Sequence, residues 1–264
     1  MPAVNERAVN DQRIFTILVG ALIVLAWLAL WVWGQSPYGR FLSHEHLGDV
    51  RLEDGALLFV FVAGWVLMTV AMMLPTSLPL VVLFRSLVRQ RPDRTRLVVL
   101  LITGYLGVWT LFGVGVHVGD WMLHQVAEQS GWLQAHAWMP AAVILVLVGF
   151  YQFTPLKYYC LDKCRSPLSF IVEHWQGHHE RAQALWLGVH HGVFCLGCCW
   201  SLMLLMFAVG VGNLGWMLAL GTVMAIEKNL PRGRRLSMLV GVLLIAWGLV
   251  LTLGSALTLL RPGG

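Results

Sequence analysis

Charged residues are what this sequence has least of. Asp, Glu, Lys and Arg make up 12% of its 264 residues, against roughly 25% in a soluble globular domain. A chain so poor in charge cannot coat an ordinary water-facing surface. Cysteine is also scarce, and five residues in two groups exclude a secreted disulfide scaffold. No Walker loop, no HExxH and no GxSxG occurs, so ATP-driven transport by this chain alone and common hydrolytic machinery lose their sequence support. The pI of 9.2 raises nucleic acid as a partner. The basic residues, however, sit in short loops between apolar blocks, a membrane-topology pattern and not a groove-lining patch.

Apolar residues are present in abundance, at 58% of the chain with a mean hydropathy of +0.72. They come in blocks near the ~20 residues that cross a bilayer core of ~30 Å. Spans are expected at about 14–33, 56–84, 97–118, 138–157, 184–209, 213–227 and 236–259. The expected fold is therefore all-α, a single polytopic transmembrane bundle over residues 1–264 with about seven spans, or six if the short block 213–227 does not cross. The N-terminal block, Ile14 to Trp33, is longer than a signal-peptide core and exits without a small-residue cleavage site, so it reads as an uncleaved first helix.

Loop charges test the count. With seven spans and a cytoplasmic N-terminus, 15 of the 18 Lys and Arg residues fall inside, and only Arg40, Arg51 and Arg261 outside. The positive-inside rule asks for this bias. It places the C-terminus in the periplasm of a bacterial inner membrane.

Sulfur carries the chemistry. In LGVHHGVFCLGCCWSLMLLM, helical spacing puts His191, Cys195, Cys198, Cys199, Met203 and Met206 on one stripe with Gly188 and Gly192. Thiolates and thioethers select Cu(I), or secondarily zinc, over hard cations. Close packing by small residues and core methionines is the plain structural alternative. In WVLMTVAMMLPTSLPL, Met68 and Met72 share a face, and Pro75 and Pro79 interrupt the helix ladder, Pro75 by freeing the carbonyl of Ala71. Cys160 and Cys164 follow at i, i+4 in YQFTPLKYYCLDKCRSP, with Lys157, Lys163 and Arg165 close enough to favour thiolates. They suit a dithiol at the cytoplasmic mouth. His174, His178 and His179, with Glu173 and Glu180, offer a zinc-like set in one loop. His44, His46, His117, His124 and His136 lie toward the outer side, where solvated histidines need no further role.

AMMLP at 71–75, TPLKYYCLDKCRSP at 154–167 and FCLGCCWSLM at 194–203, followed by GNLGWM and IEK, resemble a family of uncharacterised bacterial proteins described as predicted metal-binding integral membrane proteins. The likeness covers roughly residues 56–235. It implies an inner-membrane location and, by position, ligands at Met72, Met73, Cys160, Cys164, Cys195, Cys198 and Cys199. Gly212 departs from the Met expected before Asn213.

The function expected is binding, with translocation or delivery, of a soft ion such as Cu(I) at a mid-membrane Cys/Met site formed by Cys195, Cys198, Cys199, Met72 and Met73, with His191 and Met68 beside them. A membrane-protein or periplasmic metallochaperone is the expected partner, besides lipid. Two other classes stay open: a quinone-coupled thiol oxidoreductase using Cys195-x-x-Cys198, and a structural subunit of a larger complex. The balance leans away from an enzyme.

Overall fold

The computed structural model describes residues 2–35, 55–132, 136, 138–209, 213–230 and 233–260. Among these it contains ten helices and no strand. They are α1 (Pro2–Gln35), α2 (Gly55–Met72), α3 (Leu74–Leu87), α4 (Arg94–Gln129), α5 (Trp138–Tyr151), α6 (Pro155–Arg165), α7 (Pro167–His174), α8 (Glu180–Val209), α9 (Leu214–Asn229) and α10 (Gly233–Leu260). His44, His46, Gly212 and Arg261 lie outside the described residues, as does the side chain of His124.

Four segments are each long and apolar enough to cross a membrane: Asp11–Gln35, Arg94–Leu123, Glu180–Met206 and Gly233–Ser255. Two bent pairs, α2 with α3 and α5 with α6, raise the number to six if each is one span. Among the described residues the expected count of about seven is thus corrected to four to six. At 16 residues, α9 is only ~24 Å long, short of a ~30 Å core. Leu111, Val172 and Ile17 expose about 70% or more of their surface. Such an apolar exterior fits a hydrocarbon surrounding.

Both bends follow from proline. Pro75 has no N–H to give, so the chain breaks at Met73 and turns by 68°. The freed carbonyl of Ala71 accepts the Trp27 indole N–H at 3.1 Å. The Met73 carbonyl accepts from the Thr76 hydroxyl at 2.8 Å and from the Tyr105 hydroxyl at 3.3 Å. Both of these carbonyls thus have partners, as burial away from water requires. Pro79, by contrast, stays inside α3. The second bend, of 61°, starts after Tyr151. Thr154 caps α6 by accepting from the Lys157 N–H, and Pro155 occupies its first turn. The expected span 138–157 therefore ends early, and Cys160 and Cys164 ride on a separate helix that folds against α8.

The centre of the bundle is the α4–α8 contact. A Cβ on Gly188 would stand 2.0 Å from the Leu101 carbonyl oxygen, and one on Gly104 2.3 Å from that of Leu185. These backbones touch only because both positions are glycine. The paired helices α8 and α9 run back alongside each other. Cys195 and Lys228 lie the same number of residues from the turn-side ends Val209 and Leu214, and so come level.

Candidate metal centre

The buried face of α8 carries Cys195, Cys198, Cys199, Met203 and Met206, each at most 1% exposed. Helix α2 brings Met68, Met72 and the bend residue Met73 into the same core, and α9 adds Met217 and Met224. Cys160 joins that core, and Cys164 packs against it half-buried. Twelve sulfur side chains, eleven from four helices and Met73 from the bend, thus share one cluster, which the stripe on α8 alone announced only in part.

Within it the thiols form a row. The Cys164 sulfur lies 4.0 Å from that of Cys198, which is 3.4 Å from that of Cys199. Cys199 also interacts with Cys195. The row ends where the Cys195 sulfur meets the Lys228 Nζ at 2.9 Å and the Tyr105 hydroxyl at 3.1 Å. The Cys160 sulfur sits off the row, in a notch that exists because Gly197 has no side chain: a Cβ there would lie 2.5 Å away.

This arrangement differs from the sequence expectation in several ways. Cys164 does not form a separate mouth site with Cys160, because the bend before α6 presses it against Cys198. Lys157, Lys163 and Arg165 do not serve the thiols: Lys157 pairs with Glu227, Lys163 with Glu173, and Arg165 donates to the Leu230 carbonyl. Lys228 takes that place. His191 is buried on the expected face, but its Nε2 pairs with the Ser77 hydroxyl at 3.2 Å and its ring stacks on Tyr105. It stands one residue removed from the sulfurs. Met72 rests against Gly221 of α9. Among the described residues, no group of three or more His, Cys, Asp or Glu side chains is placed so that it could hold a metal ion.

The loop histidines are dispersed. His174 pairs with the Phe170 carbonyl, while Glu173 and Glu180 are held by Lys163 and Arg91. On the other side of the protein, His117 is buried against Phe61 and His136 stacks on Trp132. All five cysteines are free thiols. Cys198 donates to the Cys195 carbonyl while the Cys195 sulfur faces Lys228 and Tyr105, so the C-x-x-C pair is not poised as a disulfide.

Beside the row lies a buried ion pair that sequence reasoning missed. Lys157 Nζ donates to both carboxylate oxygens of Glu227 at 2.9 Å and to the Gln152 side chain, and the two charged side chains are 0% and 1% exposed. Ser237 donates to the same carboxylate at 2.8 Å, and Gln152 donates to Ser201. The pair clamps the end of α9 to the start of α6, which sets Lys228 against Cys195. The Glu227–Lys228 dipeptide at the end of an apolar block was the available signal, because ionisable residues within membrane helices are functional by default.

A polar cavity of about 150 Å³ reaches this centre from the surface at exposed Asn229. Cys164, Arg165, His191 and Lys228 line it with the hydroxyls of Thr76 and Ser77.

Residues 62–251 match a family model described as PpoB2, copper chaperone. No curated protein and no solved structure matches the chain.

Proposed function

The chain belongs to the PpoB2 family of copper chaperones, and on that premise we propose that it carries Cu(I) as cargo in its row of thiols, within the bacterial inner membrane. The observation that carries this reading is the approach of Cys164 to Cys198, at 4.0 Å, and of Cys198 to Cys199, at 3.4 Å. With metal–thiolate bonds of about 2.3 Å, sulfurs 4.0 Å apart close on one ion at an angle of ~120° without backbone movement. Soft sulfur donors suit Cu(I) above other biological ions.

Charge supports the same reading. A monovalent ion between two thiolates leaves one negative charge, and the Lys228 ammonium beside Cys195 balances it. An unbalanced charge at such a buried place costs several kcal/mol. Beyond the thiols, Met203 and Met206 continue along the same face of α8. Cys195 to Met206 covers ~16 Å of helix rise, about half a bilayer core. A neutral thioether path from a basic side toward the opposite face fits delivery outward to a periplasmic or membrane partner. The basic loops between the apolar segments fit a cytoplasmic N-terminus.

The test is metal analysis of protein purified under reducing, copper-replete conditions. Wild type is expected to retain copper with sulfur neighbours by X-ray absorption, and Cys164→Ser and Cys198→Ser to lose it. Copper-free wild type, or unchanged copper in both variants, refutes the reading.

A further inference from the structure

We infer that copper reaches this centre as an anionic complex with a small, carboxylate-bearing thiol, seated in the cavity beside Cys164. The inference rests on the copper reading above and names the form in which the ion arrives.

The lining decides between a bare ion and a complex. Arg165 and Lys228 both face the cavity, and no carboxylate lines it. The nearby acids are committed elsewhere: Glu227 to Lys157 and Ser237, Asp162 to Arg234, Glu173 to Lys163. A bare monovalent cation would meet two like charges on this route. A Cu(I) bis-thiolate with pendant carboxylates meets two opposite ones, which favours its encounter and excludes the naked ion. Arg165, half-exposed at the rim, is placed to hold a carboxylate, since its guanidinium spends one donor on the Leu230 carbonyl at 2.6 Å and has others left.

Size and polarity agree. About 150 Å³ equals the liquid volume of roughly five waters, enough for a cysteine-sized arm and far too small for a folded partner. The Thr76 and Ser77 hydroxyls line it. So does His191, which is 3% exposed and whose Nδ1 has no hydrogen-bond partner. A buried polar atom of this kind calls for a ligand or water.

The transfer is a ligand exchange without redox change. The Cys164 sulfur bonds to Cu(I) as one carrier sulfur–copper bond breaks. The Cys164 thiol proton passes to the departing carrier thiolate, which leaves as a thiol. Cys198, 4.0 Å away, is then the next ligand.

Two measurements on the full-length protein test this. In the first, metal-free protein is alkylated with N-ethylmaleimide and Cys164 modification is followed by peptide mass mapping. S-Methylglutathione, which has the carboxylates and no thiol, is expected to slow modification in wild type and in Arg165→Lys, and to have no effect in Arg165→Gln. In the second, copper uptake is timed from Cu(I)–glutathione and from Cu(I)–acetonitrile. The ratio of the two rates is expected to fall about tenfold from wild type to Arg165→Gln and to hold in Arg165→Lys. Absence of protection in wild type, or an unchanged ratio in Arg165→Gln, overturns the inference. If copper loads equally from both sources with no protection, the copper reading stands and this one fails. If protection holds while copper never loads, the copper reading fails and the anion seat remains.

Discussion

Replacing Glu227 by Gln tests how the centre is held. The substitution keeps size and shape but leaves the Lys157 ammonium, fully buried, without its counter-charge. The Gln152 side-chain oxygen and the oxygen of the introduced amide then remain as neutral acceptors. Breaking one side of a buried pair costs about 3–5 kcal/mol, because the surviving charge stays desolvated. For a chain of this size each kcal/mol shifts the midpoint by ~2–4 °C, so thermal unfolding in detergent should fall by about 6–20 °C. The double variant Lys157→Met/Glu227→Gln removes the stranded charge as well and should recover most of the loss. Because Lys228 is the next residue and touches Cys195 at 2.9 Å, retained copper should drop in the single variant and return in the double. A single variant that melts like wild type would refute the reasoning. So would a double variant no more stable than the single.

Trp27→Phe removes the donor that satisfies the Ala71 carbonyl at the Pro75 break; a loss of about 1–3 kcal/mol is expected, read as a lower melting midpoint with unchanged copper per folded chain. Gly188→Ala places a methyl 2.0 Å from the Leu101 backbone oxygen, whereas a Cβ at Gly107 meets nothing within 4 Å; only the first should abolish a monodisperse peak in fluorescence-detected gel filtration. The Lys163 hydrogen bond holds the Glu173 carboxyl below its usual range. A depressed folded value contributes stability above the unfolded pKa and loses it as pH falls through the folded one, so Lys163→Met should return the carboxyl toward its ordinary range in an NMR titration and flatten that acid-side dependence.

Local pattern made much of this legible. Apolar blocks of bilayer length named the helices, and Pro75 marked where one of them bends, since a missing N–H acts on its own neighbours; the bend before Pro155 instead cut short a span expected to run through it. The shared face of Cys195, Cys198 and Cys199 was readable, because residues three or four apart share a helix face wherever the helix lies. The orphaned Ala71 carbonyl was foreseen; its partner Trp27, 44 residues away, was not.

Whatever depends on which helices meet belonged to the tertiary structure. Cys164 joins Cys198 and not Cys160 because a 61° bend folds α6 against α8, and no spacing within either motif encodes that approach. Lys228 displaced the nearer-looking Lys157, Lys163 and Arg165 as the cation beside the thiols because the level return of α9 along α8 and the Glu227 clamp fix its end there. Sequence by itself determined the kinds of side chain and the faces they share, which local backbone geometry imposes. Contacts between faces, and so the row of sulfurs and its counter-charge, were decided only when glycine let α4 and α8 touch and the proline bends turned the remaining helices inward.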